Sequence, residues 1–424
     1  MATQCIAFED LQGRLGPLTD LRSAGEVRSS GRTTLERLAV KAVLAPVSLA
    51  AGIGVRTGLV VNTLPKGDRF LLLNARLLEV PDDARRLTPG EGLQDPVDGT
   101  LLAACLDRTA AERWAQGEAP DGLSLSPVNA TVLRRPWDLL ANESLERRML
   151  ADAEALRTAW KKAGELAKPG QVAAFRRGDG KAWTWRFGRR TRPIAFEGDA
   201  VFVHAEAVVD AFAVLDARGG PVVIEAGAHV GAHAVLQGPV HVGRGTIVAP
   251  HAVLKPRTVL GPRCRAAGEI GASIFHGESN KAHDGHLGDA LIGRWVNLGA
   301  GTVNSNLLNT YGEVSMRVEP DGPLERTGRQ FMGCIVGDHV KTAIGTRIMT
   351  GTTLGTGAMV ACSAPPPACT PRFAWLTDDG QKVHRLDRFL ATAELVLKRR
   401  QETLHPTERA ALQALHAQAL ARGG

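Results

Sequence analysis

The sequence predicts a chain of two architectures: an α/β domain, then a left-handed parallel β-helix closed by short C-terminal helices. Three observations predict it. Aliphatic residues recur at every sixth position beyond residue 200. Glycine is abundant, at 47 of 424 residues, while aromatics make up 4% with a single tyrosine, Tyr311. Much glycine with little aromatic surface suits a repetitive, tight-cornered β architecture. Before residue 130, short apolar runs alternate with helical stretches, the texture of an α/β domain.

In the first part, Phe70-Leu71-Leu72-Leu73-Asn74 reads as a buried strand, and residues 99–114 (GTLLAACLDRTAAERW) read as a helix. Residues 138–167 read as one long helix ended by Pro169-Gly170. Two short strands are expected around 173–175 and 183–187, with Gly178-Asp179-Gly180 as their hairpin turn.

From Val201 a mark placed every six residues falls on Val203, Val209 and Leu215, then on Ile224, Val230, Leu236, Val242, Val248, Leu254 and Leu260. After a gap it resumes at Ile292 and Leu298, and returns at Val336, Thr342, Ile348, Leu354 and Val360. A period of six is neither that of a helix nor that of an amphipathic strand. It fits a coil of three flat sides, each with one aliphatic pointing inward, so that eighteen residues complete a turn and Ile224, Val242 and Leu260 form a column. His233 and His251, one coil apart, fit a surface ladder. The tail from Leu386 to Ala421 reads as two short amphipathic helices separated by His405-Pro406. The expected domains are 1–195, 196–365 and 366–424.

Composition narrows the function. At 44% hydrophobic and 22% charged, the chain is ordinary globular material rather than a disordered one. The net charge of +7 is local: residues 157–192 hold 11 Lys and Arg against Glu165 and Asp179. That stretch reads as a solvated Arg-rich linker and hairpin rather than a nucleic-acid surface. Six scattered cysteines without a C-x-x-C pair support neither a disulfide framework nor a zinc ribbon, and suit a reducing compartment. The first residues carry acids where a signal peptide needs cations. The longest weakly polar run, 42–55, contains Pro46 and is too short to span a bilayer. A cytoplasmic protein without nucleic-acid or membrane partners is the expectation.

One stretch resembles a known family. His283-Asp284-Gly285-His286-Leu287-Gly288-Asp289-Ala290, then Ile292-Gly293, then Asn297-Leu298-Gly299-Ala300-Gly301-Thr302 is similar to the acetyltransferase half of the bifunctional UDP-N-acetylglucosamine pyrophosphorylase/glucosamine-1-phosphate N-acetyltransferases. An alternative bacterial subgroup of these enzymes looks closer still. It is matched by Gly261-Pro262-Arg263-Cys264, by Ser279-Asn280-Lys281-Ala282-His283-Asp284-Gly285 and by Gly337-Asp338-His339. Upstream, Phe8-Glu9-Asp10, Leu15-Gly16-Pro17-Leu18-Thr19 and Pro136-Trp137-Asp138-Leu139 resemble the subgroup as well.

The resemblance implies a nucleotidyltransferase-like (Rossmann-like) α/β domain joined to a hexapeptide-repeat acyltransferase that works as a homotrimer on sugar phosphates and nucleotides. It implies acetyl-CoA as co-substrate, His283 as catalytic base, and Asn306 as a substrate-binding residue. Asn280 and Lys281 are candidates for the sugar or its phosphate, and Gly299, Ala300 and Gly301 for close approach of a pantetheine arm. A neutral imidazole near pH 7 is an apt base for an amine nucleophile. His283 is expected in an inserted loop, in the gap between Leu260 and Ile292. Ala267 to Ser273 lacks the lysine pair and arginines that the better-known members carry there.

The Gly-rich phosphate loop of ordinary nucleotidyltransferases is missing near the N-terminus. Arg22 and Arg28 stand as candidate phosphate-binding residues in its place, with Asn74 near the nucleotide and a Mg²⁺ ion. Two other readings stay open: a catalytically silent, sugar-nucleotide-binding trimeric scaffold, and a zinc hydratase using His276, His283 and His286.

Overall fold

A computed structural model describes residues 3–422 except 11, 13, 14, 46, 119–121, 141, 168–174, 177–183, 188, 189 and 194. Contacts divide the chain into two compact units. One comprises Met1–Leu15 with Leu21–Asp138, the other Gly16–Asp20 with Leu139–Gly424.

The first unit is a seven-stranded mixed sheet. Its strands are β1 (Gln4–Phe8), β2 (Ala42–Leu44), β3 (Val60–Val61), β4 (Arg69–Asn74), β5 (Glu91–Gln94), β6 (Leu101–Asp107) and β7 (Ser124–Pro127), in the order β3-β2-β1-β4-β6-β5-β7. The strands from β3 to β4 run parallel, and β6 lies antiparallel to both β4 and β5. Alternate side chains feed two cores. Ile6, Phe8, Leu72 and Leu106 lie in one, while Ala7, Val43, Leu73 and Cys105 lie in the other. Burial on both faces explains the near-continuous apolar runs. It also explains a correction. Residues 99–114 are not one helix: Leu101–Asp107 form β6, and the helix α1 (Arg108–Ala115) begins only after Asp107, whose carboxylate accepts the Ala110 N–H at 2.8 Å. A doubly buried strand has no polar face to reveal its period of two.

The expected long helix, α2, runs Asn142–Ala163 within the second unit and stops at Gly164, which takes a φ of 75°; Pro169-Gly170 lie outside the described residues. The expected hairpin is also corrected. Thr184–Phe187 pairs antiparallel with Arg190–Pro193, whereas Phe175–Arg176 joins a parallel ladder beside Ala195–Glu197. Gly178-Asp179-Gly180 lie outside the described residues.

The second unit is built around the left-handed parallel β-helix. Its first face stacks nine strands from Val201–Val203 to Cys369–Thr370, its second begins with Val208–Val209, and its third stacks seven strands ending at His286–Gly288. The hexad marks point inward, and Ile224, Val230, Leu236, Val242, Val248, Leu254 and Leu260 are all 0% exposed. Strand pairing sets Ile224 against Val242 and Val242 against Leu260, eighteen residues per coil.

The gap after Leu260 holds no inserted loop. Coiling continues through shorter turns: Leu260 pairs with Phe275, fifteen residues on, and Phe275 with Ile292, seventeen residues on. The six-residue period lapses because corners are trimmed, while the columns persist. The real insertion lies later. Between Asn304 and Cys334 the chain leaves the coil and returns, carrying the antiparallel pair Ser315–Met316 and Glu325–Arg326.

The tail forms α3 (Leu386–Lys398) and α4 (Pro406–Ala421), the latter capped by the His405 side chain. Segment Gly16–Asp20 is held by charge within the same unit: Arg372 donates to Asp20 at 2.6 and 2.8 Å and to Glu319 at 2.6 Å.

Candidate functional site

One corner of the prism, between the second and third faces, concentrates the chemistry. Its upper coils place Phe212, His233 and His251 at φ near +60°, with ring centroids 5.0 Å apart and planes within 6°. The two imidazoles are therefore a surface stack. Below them the same corner turns to glycine, at Gly268, Gly285, Gly301 and Gly345. The aromatic stack ends where residues 282–285 begin.

His283 sits on this corner, exposed, and among the described residues its imidazole has no hydrogen-bond partner. Its backbone is pinned. Lys281 points inward, at the position that Val230, Val248 and Ala266 hold in preceding coils. The lysine is 2% exposed, and its ammonium donates to the Ala267 carbonyl at 2.8 Å and the His283 carbonyl at 3.0 Å. Burial pushes its pKa down to about 8. Lys281 thus faces the core and not an open groove.

Each of the two faces that meet at this corner carries a cleft, and no residue of 282–285 lines either one. On the third face, a cleft of about 650 Å³ is lined by Lys255, Arg257, His286, Asp289, Asn306 and Arg329 among others, its floor including Gly271 and Gly288. The inserted segment closes it with Gly328–Phe331. Asn306 Nδ2 donates to Asp289 at 2.8 Å. His286 Nδ1 meets Glu269 at 2.9 Å, and the same Glu269 oxygen accepts from Lys255 at 2.6 Å. Lys255 first, with His286, holds the Glu269 carboxyl below its ordinary pKa. Burial raises that of Asp289.

On the second face, a cleft of about 270 Å³ is lined by Arg265, Asn280, Asn297, Lys341, Arg399 and Arg400 among others. Asn280 accepts from Arg400 at 2.7 Å and donates to Asn297 at 3.2 Å.

The structure therefore places Asn280 and Asn306 in clefts on the two faces that meet at the corner of His283, while His283 itself lines neither cleft. Gly299 and Gly301 occupy the next corner down, where both have reasons within the coil. A Cβ at Gly299 would stand 2.5 Å from the Ala343 backbone, and Gly301 adopts a φ of +70°. Ala300, between them, is exposed. His276 is buried on the first face, away from His286 on the third, so the three histidines of the zinc reading do not converge within the chain. Among the described residues no group of three or more His, Cys, Asp or Glu is placed to hold a metal ion. Sequence reasoning missed the pairing of Glu269 with His286 and the wall contributed by Arg329.

In the first unit, strand order reverses between β1 and β4, and ligands of open α/β sheets bind beyond the carboxyl ends of such strands. Here that edge is occupied by the chain's own polar groups. Asn74 is 0% exposed; its amide donates to Asp10 and to the Leu101 carbonyl at 2.8 Å and accepts the Arg76 N–H at 2.9 Å. Arg76 grips both oxygens of Asp10, at 2.8 and 2.5 Å. Burial pushes the Glu9 carboxyl up to about 7, against the pull of the Gly25 N–H. Arg22 and Arg28 are 5% and 9% exposed. With Asp10 committed to Arg76 and Asn74, these residues do not fit a Mg²⁺ site as they stand.

Comparison with known proteins agrees with the repeats. Residues 221–265 match the bacterial transferase hexapeptide (six repeats) model. The chain is 32% identical over 143 residues to a bifunctional sugar-1-phosphate nucleotidylyltransferase/acetyltransferase of Sulfurisphaera tokodaii, covering 33% of this chain and 35% of that protein. It is 32% identical over 148 residues to the bifunctional protein GlmU of Bordetella parapertussis, covering 34% of this chain and 29% of that one. The chain thus spans about a third of the length of the curated relatives it matches. Among solved structures, the UDP-N-acetylglucosamine acyltransferase of Francisella novicida overlaps with a TM-score of 0.20 and 14% identity, over 51% of this chain and 76% of that chain. Among the described residues, no helix is long and apolar enough to cross a membrane.

Proposed function

We propose that the β-helix is an acyltransferase that moves an acetyl group from acetyl-CoA to the amine of an amino-sugar 1-phosphate, as a homotrimer in the cytoplasm. The observation that carries this reading is the corner at 282–285. It holds an exposed imidazole on a backbone pinned by a buried lysine, and each of the two faces that meet there carries a cation-lined cleft. The larger cleft, with Lys255, Arg257, Arg329 and Asn306, suits an anionic sugar. The smaller, with Arg265, Arg399 and Arg400, suits the phosphates of the donor.

In this reading the sugar amine attacks the thioester carbonyl. The C–N bond forms, the C–S bond breaks, and CoA leaves as its thiol. His283 removes a proton from the attacking nitrogen. Backbone N–H groups of the glycine corner stabilise the oxyanion. The nucleotidyltransferase side of the resemblance finds less support, because Arg22 and Arg28 are buried and Asn74 is fully bonded. The proposal therefore rests on the β-helix.

Thiol release from acetyl-CoA and glucosamine 1-phosphate tests it. The wild-type chain is expected to release CoA only when the amino sugar is present, and His283→Ala to lose about 10²–10⁴-fold. No release with any amino-sugar 1-phosphate would favour the non-catalytic scaffold instead.

A further inference from the structure

Several imidazoles of the β-helix bond carboxylates, among them His229 to Asp210 at 2.8 Å, His241 to Glu225 at 2.6 Å, and His286 to Glu269 at 2.9 Å. The third differs in what lies under its other nitrogen. A Cβ built on Gly288 would stand 2.6 Å from His286 Nε2 and 2.8 Å from Asn306 Nδ2. Both side chains therefore lean over one glycine on the cleft floor. A carboxylate only accepts, so the bond at Nδ1 puts the ring proton there and leaves Nε2 with a free lone pair. The charged groups around that nitrogen are Glu269 and Lys255 from preceding coils, Asp289 and Arg257 beside the cleft, and Arg329 from the inserted segment.

We propose that His286, oriented by Glu269, is a second proton-transfer residue of the acetyl-transfer site, taking the first proton from the acceptor's ammonium group. This rests on the acetyl-transfer reading above. The chemistry requires two acceptors. At neutral pH an amino sugar arrives largely as its ammonium, and acetylation strips two protons from nitrogen. One departs with the CoA sulfur as thiol, and the other must reach solvent. His286 Nε2 takes the first before attack and passes it out through the open cleft. His283 takes the second from the attacking nitrogen and returns it to the leaving sulfur. Each bond made is matched by one broken, with no oxidant or further reactant.

The test compares pH profiles of kcat/KM for His283→Ala, His286→Ala and His229→Ala. The His283 variant is expected to be depressed at every pH. The His286 variant is expected to be weak near pH 6–7 and to recover about tenfold per pH unit toward the pKa of the amine, where the acceptor arrives neutral. His229→Ala is expected to match wild type, and all three to melt within about 2 °C of it. A His286 variant with the wild-type profile, or with loss equal at all pH values, overturns the proposal. Nitrogen NMR of the imidazoles supplies a second readout with glucosamine 1-phosphate as the probe. The His286 Nε2 resonance is expected to shift while Nδ1 stays. If the wild-type chain releases no CoA, the acetyl-transfer reading fails on its own. The spectrum still decides: an unmoved His286 overturns this proposal too, and a shifted one supports the cleft as an amine site.

Discussion

Substituting Gly288 by alanine places a methyl group 2.6 Å from His286 Nε2 and 2.8 Å from Asn306 Nδ2. Ordinary contact begins near 3.4 Å, so the two polar groups must retreat by about 0.6–0.8 Å. Displacement on that scale at a reacting group costs about 10²-fold in rate. Stability is expected to hold. The clashing atoms are ends of side chains that can swing away, and the Gly288 backbone lies outside the left-handed region. Shortening the unfolded chain's conformational freedom offsets the small repacking cost by about 0.4–1 kcal/mol. Gly299→Ala is the contrast, since its methyl meets the Ala343 backbone at 2.5 Å and two coils would have to part. That variant is expected to lose about 1–3 kcal/mol. Thiol-release kinetics and thermal melts of both variants check the reasoning. A Gly288→Ala protein with wild-type kcat/KM refutes the cleft as the acceptor's site, and one that melts as early as Gly299→Ala refutes the packing argument.

Other expectations follow from the buried charges. Lys281 has its pKa pushed down to about 8, against about 10.4 when unfolded, so between those values the unfolded chain holds a proton that the folded chain has released. Stability should therefore rise with pH across that window, on the order of 2–3 kcal/mol per such lysine. Lys341, also pushed to about 8 by burial, contributes a similar rise, so Lys281→Met should remove about half of it in denaturant melts between pH 7.5 and 10. Arg372→Ala strands the buried Asp20 carboxylate and is expected to cost about 3–5 kcal/mol at pH 7. Burial already raises the Asp20 pKa, so the loss should shrink as the pH falls; equal losses at pH 7 and pH 5 would contradict that cause.

The β-helix was legible because each hexad mark is a buried side chain whose neighbours point outward. Legibility failed where corner length changed. Ala266 to Ile270 is a step of four and Ile270 to Phe275 one of five, so the period vanished although the columns continued. Lys281 escaped as an inward residue because a cation at a hexad mark breaks the aliphatic pattern; only its two carbonyl partners explain it. The Glu269–His286 pair escaped because of the changed coil length. Counting eighteen back from His286 reaches Gly268, and the trimmed coil sets Glu269 opposite instead. In the first unit, β6 was hidden because LLAACL is apolar on both faces. The burial of Arg22, Arg28 and Asn74 depends on pairings such as Asn74 with Asp10, 64 residues apart, which no local pattern carries.

Acetyl transfer at the corner bearing His283 is tested most directly by the mass of glucosamine 1-phosphate recovered after incubation with the full chain and acetyl-CoA carrying a heavy-isotope acetyl group. The account predicts the N-acetylated sugar phosphate bearing that heavy acetyl group, formed in step with free CoA and absent with a folded His283→Ala chain. Unmodified sugar phosphate from the wild-type chain, or an equal yield from the His283 variant, would contradict it.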